Sequence, residues 1–138
     1  MLIVLDTNVL VSGLLKRNSK PEQIIDAILM RKIHLVIDER VFKEYQDVLH
    51  RPKLNIPKDR ADAVLSFIAF SSVWIECTPV NFSQYEIIDE GDIPLAELAI
   101  NKNVILISGN FKHFQYLQRF NIQVLSPDEF LSKHTQIF

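Results

Sequence analysis

The chain has 138 residues, 48% of them apolar and 23% charged, with a formal net charge of −2; this suits a soluble globular fold with one core and excludes the disordered and fibrous classes. The small negative charge gives no global attraction to a polyanion, so nucleic acid would have to be met by local basic clusters or by bound cations. Cys77 is the single cysteine, which excludes an internal disulfide, and in the apolar run Val73-Trp-Ile-Glu-Cys77 it reads as a packing residue.

Leu2 to Leu5 is a wholly apolar run ending in Asp6-Thr7-Asn8, a buried strand meeting a polar loop. It is too short for a signal-peptide core and has no basic leader, while Phe67 to Ile75 is about half a membrane span. A cytoplasmic protein with no membrane partner is the expectation. Ser19-Lys-Pro-Glu22 is a capping box with proline in the first helical turn, followed by Ile24, Ile25, Ile28 and Leu29 at helical spacing. Ile33 to Ile37 reads as a second strand, and Asp38 caps a helix striped by Val41, Tyr45, Val48 and Leu49 that ends near Pro52. A further helix spans Asp59 to Phe70, and Val73 to Ile75 is a third strand. Thr78 to Gly91 is loop-like, with room for a helical turn at Tyr85 to Ile88. Asp92 to Asn101 is a helix, Val104 to Ile107 a strand, Asn110 to Gln118 helical, Ile122 to Leu125 a fifth strand and Pro127 to Lys133 a final helix. One domain, residues 1–138, accounts for all of them.

Strands alternating with helices imply right-handed crossovers and a mainly parallel five-stranded sheet covered on both faces, a three-layer α/β/α sandwich. Ligands of such sheets collect beyond the carboxyl ends of the strands. Asp6-Thr7-Asn8 and Ser108-Gly109-Asn110 stand at those ends, and each also has a plain turn-forming reading.

Three carboxylates draw attention. Asp6 follows the most buried strand, where it is either a ligand or the cap of a following helix over residues 7 to 14. Glu44 shares a helical stripe with Val41 and Val48, so an acid faces the core; burying it unpaired costs several kcal/mol, and it calls for a cation, a hydrogen-bond network, a raised pKa or an ion pair such as one with Arg40. Glu39 and Asp47 lie off that stripe and read as solvated charges. On the helix that Asp92 opens, Leu95, Ala96 and Ala99 lie within about 60° of its direction and Glu97 about 140° away. Asp92 thus faces the apolar side, as a ligand, a cap or both. Three acids converging on one crevice repel unless a divalent cation neutralises them, and an all-oxygen donor set favours Mg²⁺ or Mn²⁺ over zinc. Such an ion lowers the pKa of water and screens a phosphodiester, which makes hydrolysis of a nucleic-acid backbone the natural use. No Gly-x-Ser-x-Gly, Walker loop, Gly-x-Gly-x-x-Gly or zinc spacing competes.

These residues resemble a known family. Leu5-Asp-Thr-Asn-Val-Leu10 is similar to the opening signature of PIN-domain nucleases, Val41-Phe-Lys-Glu-Tyr-Gln-Asp-Val-Leu49 to the helix bearing their glutamate, and Asp92-Ile-Pro-Leu-Ala-Glu-Leu-Ala99 with Val104-Ile-Leu-Ile-Ser-Gly-Asn110 to their third acid and next strand. The segment Val48 to Lys53 resembles the VapC-like branch, the toxin components of toxin–antitoxin pairs. The resemblance implies strand order 3-2-1-4-5, Asp6, Glu44 and Asp92 as catalytic metal ligands for Mg²⁺ or Mn²⁺, RNA as substrate, an antitoxin protein as partner and a homodimer. Thr7, Asn8, Ser108 and Asn110 become supporting or substrate-contacting residues. One departure stands out: the family's fourth acid is Asn110 here, which weakens any second metal position, and Asp89, Glu90 or Glu97 would have to compensate, Glu97 against its helical direction.

Lys16, Arg17 and Lys20 form one basic run, and Arg51, Lys53, Lys58 and Arg60 another; solvated surface and phosphate contact are both open to them. Lys112 and His113 stand nearer the crevice. Two further readings remain: a catalytically weak or inactive PIN-like module that binds RNA or protein, and a receiver-like or phosphatase domain using strand-end aspartates.

Overall fold

The first strand, β1 (Leu2–Leu5), lies at the middle of the sheet, as its sequence requires: Ile3, Val4 and Leu5 have no exposure, so neither face is left to water. A computed structural model describes all residues 1–138. Its other strands are β2 (His34–Ile37), β3 (Val73–Trp74), β4 (Ile105–Ile107) and β5 (Val124–Leu125). They lie in the order β3-β2-β1-β4-β5 with all neighbours parallel. This is the expected three-layer α/β/α sandwich. A receiver-like fold, with order 2-1-3-4-5, is excluded by the topology.

Six α-helices link and cover the strands: α1 (Thr7–Leu15), α2 (Lys20–Leu29), α3 (Glu39–Leu49), α4 (Lys58–Ser71), α5 (Ile93–Lys102) and α6 (Pro127–Lys133). Local chemistry starts them where the sequence indicates. Ser19 accepts the Glu22 amide at 3.2 Å, Asp38 accepts that of Val41 at 3.0 Å, and Ser126 with Glu129 forms a reciprocal capping box on α6. A cluster of 36 buried residues joins the sheet to the helices.

Two segments differ from expectation. Residues 111–120 are helical but form a ten-residue 3-10 helix, Phe111–Phe120. Its apolar residues Phe111, Phe114, Leu117 and Phe120 recur every third position, which matches three residues per turn better than 3.6. Tyr85 to Ile88 is not helical; instead Phe82 is buried edge-on against Tyr116 and Phe120, with ring centroids 5.4 and 5.8 Å apart, and ties the loop to the 3-10 helix. No helix is long and apolar enough to cross a membrane.

The register places the chemistry. Leu5 pairs with Ile107, so Asp6 and Ser108 are the next residues out of two adjacent strands, and the Asp6 amide still donates to the Ile107 carbonyl at 2.9 Å.

Candidate active site

Asp6 is 5% exposed. Its Oδ1 accepts the Asn8 amide at 3.2 Å and caps α1, while its Oδ2 accepts the Ser108 hydroxyl at 2.7 Å. Capping and site-building therefore coexist at Asp6. Ser108, almost wholly buried, also accepts the Asn110 amide on its Oγ at 3.0 Å, which folds the chain back after β4.

Thr7 is buried behind Asp6 and donates its hydroxyl to Glu44 Oε2 at 2.5 Å. Glu44 is half-buried on α3. The next residue fixes that helix: Tyr45, without exposure, donates its hydroxyl to the Leu5 carbonyl at 2.6 Å. Burial raises the Tyr45 pKa most, and the charges of Asp6, Glu44 and Asp38 raise it further. The acids of β1 and α3 thus flank one phenol.

Asp92 precedes α5, half-buried, and makes no capping bond. The cap reading fails there because its Oδ2 is engaged by His113 Nδ1 at 2.8 Å; capping passes to Asp89, whose Oδ1 accepts the Gly91 amide at 2.8 Å. Burial, with the charges of Asp6 and Asp89, raises the Asp92 carboxyl pKa against the lowering effect of the His113 bond. Asp92 therefore feels the charge of Asp6, far from it in sequence. Asn8 and Asn110 are exposed at the rim of the same sheet edge.

Two alternatives weighed for the acids resolve differently. Arg40 does not pair with Glu44; its guanidinium bridges Asp38 Oδ2 at 2.8 Å and Glu97 Oε1 at 2.7 Å. Glu97, which helical direction turns from the apolar side, is nonetheless only 6% exposed. The loop after β3 covers that side of α5, and the Val80 amide donates to Glu97 Oε2 at 2.9 Å. Its charge is thus committed to Arg40 and Val80. A cavity of about 590 Å³ opens here, walled by Asp38, Arg40, Trp74, Cys77 and Glu97, and neither Asp6 nor Asp92 lines it.

Asp89, Asp92 and His113 bring ligand atoms within 4.8 Å of one another, close enough to hold one cation; Asp6 and Glu44 lie outside that group. The Asp92 oxygens are held against neighbouring negative charge that a cation would neutralise. Asp89, weighed from the sequence as a compensating acid, and His113, read there as near the crevice, stand beside Asp92; Tyr116, whose phenol feels the charge of Asp92, was not singled out. Asp89 and Asp92 are three apart on a helical turn, a spacing that places them on one side. His113 is three after Asn110.

A family model described as a PIN domain matches residues 2–112. An uncharacterised protein of Methanocaldococcus jannaschii is 28% identical over 141 residues, 95% of this chain and 90% of that protein. Among solved structures, VapBC2 from Rickettsia felis bound to a DNA fragment from their promoter is similar with a TM-score of 0.61 at 20% identity, over 91% of this chain and 98% of that one. VapBC-1 from nontypeable Haemophilus influenzae gives 0.59 at 18% identity, over 93% and 99%. FitAcB from Neisseria gonorrhoeae gives 0.60 at 17% identity, over 92% and 98%. At these identities the structural likeness speaks for the fold, and the family rests on the match through β1, α3, α5 and β4: this chain belongs to the PIN-domain family of nucleases.

Proposed function

We propose that residues 1–138 act as one PIN-domain unit, a Mg²⁺- or Mn²⁺-dependent endoribonuclease that serves as the toxin of a toxin–antitoxin pair in the cytoplasm. The observation that carries this reading is the convergence at one sheet edge: Asp6 is bonded to Ser108, Asp92 lies within reach of its charge, and Glu44 is tied to the adjacent Thr7.

In this reading Asp6, Glu44 and Asp92 hold the cation. A divalent ion bound there lowers the pKa of water and screens charge building on the scissile phosphate. The Asn8 amide and the Ser108 hydroxyl each hold one Asp6 oxygen and Thr7 holds one Glu44 oxygen, so both carboxylates keep their aim before substrate arrives. Asn8 and Asn110, exposed and neutral, offer amide donors to a phosphate without repelling it. Lys112, beside Asn110, adds positive charge at that rim, and with Arg119, Tyr85 and Tyr116 it lines a groove of about 420 Å³ where a single strand could lie. The likeness to VapBC-1, VapBC2 and FitAcB supports an antitoxin partner, and the family resemblance supports a homodimer.

Purified protein should cut single-stranded RNA with Mg²⁺ or Mn²⁺ and stop in EDTA. Asp6→Asn should lower cleavage roughly 100-fold or more, the equivalent of several kcal/mol of charge stabilisation, while the protein stays folded. Cleavage that persists in the chelator would defeat the proposal.

A second reading is favoured by one observation, the neutral, exposed Asn110 in place of an acid. It makes the domain a catalytically weak binding module for RNA or protein. Asn110→Asp separates the two: a large gain in metal affinity and cleavage supports the module, and little change supports the nuclease.

A further inference from the structure

Beside the carboxylates, a groove of about 420 Å³ lies between the loop before α5 and the 3-10 helix, with Tyr85, Glu86, Lys112, Tyr116 and Arg119 in its lining. Its volume falls among those of small-molecule sites, about 300–1,000 Å³. Local structure leads from the site to the groove. Residues three apart eclipse one another in a 3-10 helix, which advances about 6 Å per turn, so His113, Tyr116 and Arg119 form one row. The row starts where His113 Nδ1 meets Asp92 Oδ2 at 2.8 Å and ends in the groove.

The groove offers an aromatic surface and both signs of charge. Tyr85 stacks on Tyr116 with ring centroids 6.3 Å apart and planes 30° from parallel, and it packs on Phe120 at 5.4 Å. Buried Phe82 meets Tyr116 and Phe120 edge-on, so half-exposed Tyr85 is held in place by an aromatic cluster. Lys112, Arg119 and Glu86 are exposed and share the groove, yet none of them enters an ion pair. Opposite charges that line one cavity without closing on each other leave their hydrogen-bonding groups to a ligand. An independent feature points the same way: Tyr116 lines the groove at 8% exposure, and its buried hydroxyl has no partner in the fold. A buried polar group of that kind calls for a partner from outside.

We infer that this groove is a subsite for one unpaired guanosine of the RNA substrate, its base stacked on Tyr85, its Watson–Crick edge read by Glu86, its phosphate met by Lys112 and Arg119, and the Tyr116 hydroxyl bonded to it. The subsite rests on the nuclease reading for its substrate and deepens it by fixing which nucleotide lies near the cleaved bond. A carboxylate only accepts hydrogen bonds, and guanine alone offers it two adjacent donors, N1–H and the N2 amine. Adenine and cytosine set a bare ring nitrogen next to their amine, and uracil flanks its one N–H with carbonyls; each turns a lone pair towards Glu86. Stacking accepts any base, and phosphate contacts carry no sequence information. Selection therefore falls to Glu86.

The test is calorimetric titration of the full chain in EDTA with GMP, AMP, CMP and UMP, and with a short oligouridine carrying one central guanosine. GMP should bind roughly 10-fold or more tighter than the other mononucleotides, and the oligonucleotide tighter still. Glu86→Gln, at an exposed position, should erase the preference, whereas Lys112→Ala and Arg119→Ala should weaken every nucleotide alike. Tyr116→Phe should weaken GMP without lowering the melting temperature, because the lost hydroxyl has no partner in the fold. Absent or equal binding of the four nucleotides overturns the inference, as does a preference that survives Glu86→Gln or GMP affinity unchanged in Tyr116→Phe. GMP bound as tightly as the oligonucleotide overturns it too, since the groove would then serve a free nucleotide. The fate of the nuclease reading is separate: guanine-selective RNA binding without cleavage in Mg²⁺ or Mn²⁺ supports the subsite and sinks the nuclease, while cleavage indifferent to guanine does the reverse.

Discussion

Asp92 shows how an acid can be both costly to the fold and useful to the site. Its carboxyl pKa is raised above the ordinary 3.8 by burial and by Asp6 and Asp89. A carboxyl with a higher pKa folded than unfolded binds more protons in the folded state, so stability falls as pH rises from the unfolded value through the raised one, and the cost is fully present above it. In EDTA at neutral pH, Asp92→Asn should therefore melt higher than the parent, and the difference should vanish below the unfolded carboxyl pKa. Thermal unfolding across a pH series checks this; an Asp92→Asn protein less stable at neutral pH than at acid pH, relative to the parent, would contradict it. Asp6 and Glu44 were legible from the sequence because an acid after a wholly apolar strand and an acid on a core-facing stripe both need explanation. The partners were not: Arg40 chose Asp38 and Glu97 over Glu44. That choice depends on where the chain after β3 runs.

At the scale of elements, α1 and α2 pack too closely for any side chain at Gly13. A Cβ there would stand 2.5 Å from Ile25 Cγ1 and 3.0 Å from the Pro21 carbonyl. Ile25 is buried and Pro21 contributes backbone, so neither yields cheaply. Gly13→Ala would gain up to about 1 kcal/mol in helix propensity, yet overpacking costs about 1–3 kcal/mol. A net loss of stability in urea denaturation is expected, and a more stable protein would show that α2 moves aside freely. Because Asp6 caps α1, some of this loss should reach the site. Helix starts were readable from their caps, as at Ser19, Asp38 and Ser126. The 3-10 form of residues 111–120 was written in the three-residue repeat of Phe111, Phe114, Leu117 and Phe120, but an ordinary helix fits the same segment unless that period is noticed.

For the whole molecule, the family match ends at residue 112, while the fold does not. Beyond it, β5 completes the sheet against β4, and Val124, Leu125, Phe130 and Leu131 are all buried. Each such burial is worth about 1.5–3 kcal/mol, together comparable with the ~5–15 kcal/mol stability of an ordinary domain. Deleting residues 122–138 should therefore abolish cooperative unfolding as followed by circular dichroism, and a truncated protein that still melts sharply would refute this. The sequence by itself determined the class of fold, since apolar runs alternating with amphipathic helices bury both faces only in a covered parallel sheet; strand order came from the family resemblance. It also determined which acids stand at strand ends. Only the tertiary structure decided their neighbours. It alone set His113 against Asp92, sank Glu97 beneath the loop after β3 and left the Tyr116 hydroxyl unpaired, because these relations join segments whose separation in space no local pattern records.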